Sequence, residues 1–169
     1  MPLHRTVIAV AAFAAVCALP ARAAGPVEVS FLPDWSRYSD AGRDPNDARR
    51  NEEVLAHWLQ ELGTRWLPDG QQLKVDVLDL DLAGQLKPSH RAGITQVRIA
   101  RGGADLPRIT LRYALTEGGR VVASGEEMVN DLDYLHNHTD ISQDDPLRNE
   151  KRMLEGWFKA RIVERKPAG

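Results

Sequence analysis

Cysteine is almost missing from this sequence: its 169 residues contain one, Cys17. That cysteine lies in the apolar run near the start, so a chain that has lost the run carries no thiol. Disulfide staples and a cysteine nucleophile are thereby excluded, and hydrophobic burial must hold the fold alone. Long hydrophobic runs are also scarce. The one at the start, Val7 to Leu19, spans thirteen residues, whereas a helix crossing the hydrocarbon core needs about 20. Basic excess is absent as well, with 22 Lys and Arg against 24 Asp and Glu, which argues against a nucleic-acid footprint. There is no G-x-S-x-G and no glycine loop of the kind that cradles phosphate. Gly102-Gly103 and Gly118-Gly119 fall where turns are predicted, and Ser124 stands in an alternating strand with no evident base beside it. Catalysis is not expected.

What is present begins with "MPLHRTVIAVAAFAAVCALPARAAG": a short cationic start, the apolar run, then Ala21-Arg22-Ala23. This pattern is that of a secretory signal peptide cleaved after Ala23. A lipoprotein would instead keep and acylate Cys17, but Val16 stands where a small residue is wanted and Ala14 where a bulky aliphatic one is usual. From Ala24 to Gly169 the exported chain would have 146 residues, enough for one domain burying about 68–70% of its unfolded surface. Export removes Arg5 and Arg22 and no acid, taking the formal charge from −2 to −4. The expected location is the periplasm or beyond, with no transmembrane segment in the mature chain.

Along the body, "VEVSFL" (Val27 to Leu32) alternates as a half-buried strand does and ends at Pro33. Asp44 and Pro45 then read as N-cap and first residue of a helix. Val54, Leu55, Trp58, Leu59, Leu62 and Trp66 form its apolar stripe. "QLKVDVLDLDLAG" is a strand whose phase slips near Val77-Leu78, where a β-bulge is predicted. Ser36 to Asn46 and Gln85 to Gly93 read as polar loops, and Ile94 to Ala100 as a weak strand. "RITLRYALTEGGRVVASGEEMV" is a hairpin turning at Glu117-Gly118-Gly119, with Gly125 a bulge or a close backbone approach. A last helix takes Asp145 as N-cap and Pro146 in its first turn, with Leu147, Met153 or Leu154, Trp157, Phe158 and Ile162 as its stripe and Lys151, Glu155 and Lys159 as an outer charge ladder. The predicted class is α+β: a four- to five-stranded, mainly antiparallel sheet with two amphipathic helices on one face.

"LDLAG" (Leu80 to Gly84), "DLPRITLRYALTEGGRVVASGEE" (Asp105 to Glu127) and above all "DDPLRNEKRMLEGWF" (Asp144 to Phe158) resemble the signatures of a family of exported bacterial proteins known only as a domain of unknown function. The resemblance runs from about Pro26 to Ile162. It implies a bacterial source, export and one small domain, and it carries no site residues or activity.

Chemistry concentrates in "DLDYLHNHTDISQDD". His136, His138 and Asp140 form H-x-H-x-D, a spacing that supplies zinc ligands when a loop lets alternate residues converge. A surface site for zinc, copper or nickel would need little more. A metallohydrolase would need distant histidines as well, and only His57 and His90 remain. The plainer reading is an acidic loop with Asp144 and Asp145 at the positive end of the last helix. Glu53, His57 and Glu61 share one helix face, but Arg49 and Arg65 extend the series into a solvated charge ladder. Asp76, Asp79 and Asp81 alternate with leucines as a polar strand face rather than a calcium loop. Trp35 and Tyr38 either offer a binding surface or fold back on the core. The expected function is a non-catalytic exported module that binds an envelope protein or a small ligand, with no cofactor. The alternative is a periplasmic metal-binding protein centred on His136, His138 and Asp140.

Overall fold

The computed structural model describes residues 26–89 and 96–167. Cys17, the cleavage point at Ala23, His90 and the first residues of the weak strand lie outside them. β1 (Val27–Ser30) leads through a 3₁₀ turn to α1 (Pro45–Trp66) and then to β2 (Gln71–Asp81). β3 (Gln85–Pro88), β4 (Gln96–Ile99), β5 (Arg108–Glu117) and β6 (Arg120–Asn130) follow, and α2 (Arg148–Trp157) runs on into a π-helical turn, Phe158–Val163. The class is α+β, as expected.

The sheet meets the expectation of four to five mainly antiparallel strands only in part. Its order is β1-β2-β5-β6, with β1 parallel to β2 and the other pairs antiparallel. The reason lies in the connection. Between β1 and β2 the chain spends itself on α1, and a crossover helix returns a strand parallel to its predecessor, whereas a tight turn returns it antiparallel. The weak strand does not join this sheet. It pairs with β3, in a stretch expected to be loop, as a separate two-stranded ribbon. Gly84 makes the ribbon possible: its φ is +84°, and a Cβ there would meet the Ile99 carbonyl oxygen at 2.7 Å. Arg98 then ties the ribbon down, donating to both carboxylate oxygens of Asp40 (2.9 and 2.8 Å) and to the Gly84 carbonyl (3.1 Å).

The predicted bulge is present, as a register shift between Val77 and Asp79. The hairpin turns on Gly118 and Gly119, whose φ of +55° and +78° suit the two-residue turn that matches strand twist. Gly125 is a close approach and not the bulge: a Cβ there would lie 3.1 Å from the Tyr113 ring, and the register shift falls at Leu115/Thr116.

Both helices cover one face of the sheet. Leu73, Val75, Ile109, Leu111 and Leu115 project into a core with Leu55, Leu59, Leu62, Leu154 and Phe158. Each such side chain, fully buried, contributes about 1.5–3 kcal/mol. The Asp44 carboxylate caps α1 by accepting from the amides of Asn46 (2.9 Å) and Asp47 (3.0 Å). The stripe is narrower than its periodicity suggests, because Val54 remains 38% exposed. In α2 the expected cap is displaced. The helix begins at Arg148 with Leu147 at the N-cap, and the Asp145 carboxylate accepts from the Leu147 amide (2.9 Å) one turn earlier. Lys151 leaves the outer ladder to bond Asp145 (2.6 Å), while Lys159 and Glu155 keep their pair (2.8 Å). Among the described residues no helix is long and apolar enough to cross a membrane.

One buried acid was not anticipated. Glu150, on the inward side of α2, is 2% exposed. Its Oε1 accepts from the Ala83 amide (2.7 Å), pinning α2 to the end of β2, while Oε2 is buried without a partner among the described residues. Burial pushes this carboxyl up, against the opposing effects of the Ala83 amide and the Arg98 charge. A carboxyl whose value is higher folded than unfolded stabilises fully below the ordinary glutamate value, and that contribution is lost as pH rises through the folded value. Relative to wild type, Glu150→Gln is therefore expected to gain stability as pH climbs through this window. Thermal midpoints of the two proteins between about pH 4 and pH 8 check it; parallel curves would show that Glu150 does not titrate in the fold.

Candidate functional site

Where α1 meets α2, Trp58 donates its indole N–H to the Lys151 carbonyl (2.8 Å) and Trp66 packs on Phe158 with ring centroids 5.8 Å apart. These contacts hold the helices together on their inner side. Toward solvent they border a cleft of about 900 Å³ that residues 138–141 also line. Tryptophan and cation line it together. The Arg65 guanidinium stands 5.8 Å from the Trp58 ring centroid and 5.5 Å from that of Trp66. Lys151 lies 5.8 Å from Trp58, and Lys159 lies 4.7 Å from Trp66. Such distances fall within the range at which a ring quadrupole attracts a cation, by about 0.5–1 kcal/mol where exposed. Lys151 and Lys159 each have a carboxylate partner, whereas Arg65 has none among the described residues. Glu53, Glu61 and Glu155 add negative charge to the same walls. A ligand bearing both an acidic and a basic group would find counter-charges for each.

The H-x-H-x-D triplet is split. His138 and Asp140 line the cleft, as does His57 from α1. His136 does not: its Nδ1 lies 2.8 Å from Asp133 Oδ1 on the exposed side of the loop. Alternate residues converge only in extended backbone, and here the amides of His136 and Asn137 both donate to the Asp133 carbonyl (3.0 and 3.1 Å), making a helical turn. His57 in turn has Nδ1 3.2 Å from Glu61, within the ladder read from the sequence. Among the described residues, no three His, Cys, Asp or Glu side chains are grouped so as to hold a metal ion.

The rest of the acidic stretch is committed to its own architecture. Asp131 accepts from the Asp133 amide (3.1 Å) and the Asn137 side chain (3.0 Å), and its second oxygen pairs with Arg152. Tyr134 is buried, its hydroxyl accepting from the Gly102 amide (3.0 Å). The strand aspartates are likewise separate and structural. Asp79 accepts from the Ser39 amide and hydroxyl, both at 2.8 Å, Asp81 pairs with Arg108 at 2.5 Å, and Asp76 faces Lys74 at 3.7 Å. Trp35 and Tyr38 fold back: Trp35 packs half-buried against the core, and the buried Tyr38 hydroxyl accepts from the Leu32 amide (2.6 Å). Burial pushes the Tyr38 phenol up.

Sequence reading missed the residues that make the cleft, namely Trp58, Arg65 and Lys159. Trp58 was legible only as part of an apolar stripe and the other two only as outer charges. Their positions at the edge of each stripe, where a ring is half-buried and a cation can lie over it, were the available signal.

The family described as "Protein of unknown function (DUF3016)" matches residues 25–160. The chain belongs to that family. No curated protein and no solved structure matches it.

Proposed function

We propose that this is an exported, non-catalytic binding protein of the bacterial envelope whose ligand occupies the α1–α2 cleft. The observation that carries the reading is Arg65, held over two tryptophan rings with no carboxylate of its own among the described residues. The ligand class that fits is small and polar, with a carboxylate for Arg65 and a basic group for the glutamates that line the same cleft, as in a short peptide. Export rests on the sequence of residues 1–23 and on the resemblance described above. The alternative, a periplasmic transition-metal protein using His136, His138 and Asp140, rests on His138 and Asp140 sharing the cleft wall.

Thermal unfolding of chelator-treated protein, with a panel of di- and tripeptides in one arm and zinc, copper or nickel in the other, separates the two. A ligand at 100 times its Kd adds about 2.7 kcal/mol, and for this size each kcal/mol moves Tm by roughly 2–4 °C. The expected result is a peptide-induced rise that Arg65→Gln abolishes, with no response to metal. A rise with metal that His136→Ala/His138→Ala removes would establish the alternative. A peptide response unchanged in Arg65→Gln would move the ligand elsewhere.

A further inference from the structure

Where β2 ends, Leu82, Ala83 and Gly84 carry the chain out of the four-stranded sheet and into the β3–β4 ribbon. Three distant pieces of chain meet at that junction. The Arg98 guanidinium of the ribbon faces the carbonyls of Leu82 (3.4 Å), Ala83 (3.5 Å) and Gly84 (3.1 Å) while paired with Asp40, which precedes α1. From α2, Glu150 accepts the Ala83 amide. Ala83 is thus held by the helix through its N–H and by the ribbon's cation through its carbonyl. A groove of about 360 Å³ borders the same place, with Ala83, Leu86 and Arg98 on one side and Leu147 and Asn149 of the α2 start on the other. Ribbon and helix start are therefore separated by open space, and the junction is fastened by polar contacts more than by packing.

A carboxylic acid is a costly choice for that fastening, since a glutamine would accept from Ala83 with no charge to bury. What glutamate adds is a proton that can leave. Once ionised, Glu150 would be a carboxylate deprived of its hydration, with one oxygen lacking a partner among the described residues. The charges around it do not make up the loss. Arg98 favours the ionised form but is shared with Asp40, and Asp145, ahead of α2, opposes it although itself paired with Lys151 at 2.6 Å. On the α1 side of the groove Arg43 and Asp47 neutralise one another at 2.9 Å.

We propose that Glu150 is a proton-operated latch: neutral, it fastens α2 to the junction of β2 with the ribbon, and ionised, it turns out to water and the junction opens along the groove. Burial moves this carboxyl upward from the ordinary glutamate value. In the open junction the side chain is hydrated and ionises as an ordinary glutamate does, whereas in the closed one it keeps its proton to higher pH. Between those two values the opening releases one proton, so its equilibrium constant grows about tenfold per pH unit. Below the lower value the latch holds at full strength, and above the upper one it responds no further. The latch is independent of the α1–α2 cleft, which Ala83, Arg98 and Glu150 do not line; either reading can fail without the other.

Native-state hydrogen exchange of the whole protein, followed by NMR between about pH 4 and pH 8 at several low urea concentrations, tests it. Protection factors, which remove the intrinsic pH dependence of amide exchange, are compared for Ala83 and Gly84 and for β2 and β5 amides in the middle of the sheet. The two junction amides are expected to exchange through an opening that urea hardly affects, the mark of a local event. Their protection is expected to fall about tenfold per pH unit until the Glu150 carboxyl itself titrates, and in Glu150→Gln to stay constant. The carboxyl carbon resonance of Glu150, read in the wild-type protein and so needing no variant to fold, is expected to titrate above the ordinary glutamate value of about 4.3. The proposal is overturned if that carboxyl titrates at or below the ordinary value, or if junction protection does not change with pH. It is overturned equally if Glu150→Gln shows the wild-type pH response, or if the junction amides exchange only together with the sheet, through global unfolding.

Discussion

Replacing Phe158 by alanine is expected to cost about 3–5 kcal/mol, the usual price of removing a buried phenyl ring. Phe158 is fully buried at the point where α2 gives way to its π-helical turn. Its ring meets Trp66 of α1 at 5.8 Å and lies edge-on to Trp157 at 6.2 Å and 87°. One side chain thus joins both helices to the core, and the cavity left by its loss opens between elements that cannot easily close on each other. For a domain whose total stability is about 5–15 kcal/mol, this is about a fifth of the margin or more. Urea unfolding should show a lower midpoint with an unchanged slope, the signature of lost stability with the same surface exposed. A cost under about 1 kcal/mol would mean that the end of α2 is not docked as described. Because the cleft exists only while α1 and α2 are held together, the same variant is expected to bind cleft ligands less well than its folded fraction predicts.

Gly63→Ala is expected to destabilise although alanine is the better helix former. In an unobstructed helix the exchange stabilises by about 1 kcal/mol. Here a Cβ would lie 2.1 Å from Val27 Cγ2, because α1 crosses β1 with no room for a methyl group. Valine cannot swing its branch away as a long side chain does, so the helix or the strand must shift, at a cost of about 1–3 kcal/mol. The test is a double-mutant cycle. Val27→Ala alone loses buried surface, but it removes the obstructing methyl, so Gly63→Ala on that background should revert to the modest stabilisation of a free helix. The two changes are then non-additive by about 1–3 kcal/mol. Additive effects would show that the close approach of α1 to β1 is not a constraint.

Both residues illustrate where the sequence is and is not informative. Phe158 was legible as core because it falls on the helical period of Leu154 and Trp157. Gly63 was not, since a glycine in a helical pattern looks the same whether it is tolerated or required. The α1 N-cap, the bulge near Val77 and the glycine turn at 118–119 were readable for a shared reason: each is decided by a few adjacent residues and their backbone chemistry. The parallel pairing of β1 with β2 and the separate β3–β4 ribbon were not, because each depends on a partner far along the chain. For the ribbon that partner is Asp40, which Arg98 finds across fifty-eight positions.

The candidate site divides in the same way. Local sequence determined that His136, His138 and Asp140 lie in one short acidic loop, and that an i, i+4 ladder of charges covers the outside of α1. Only the tertiary structure decided which of these groups meet. The turn at Asp133 sends His136 away from its neighbours, while helix packing brings Arg65 and two tryptophans of α1 together with two lysines of α2, Trp58 meeting Lys151 across 93 positions. The physical reason is range. Capping, turning and amphipathic periodicity act over a few residues and are written in consecutive letters, whereas a cleft is made by the angle and distance at which two finished helices pack.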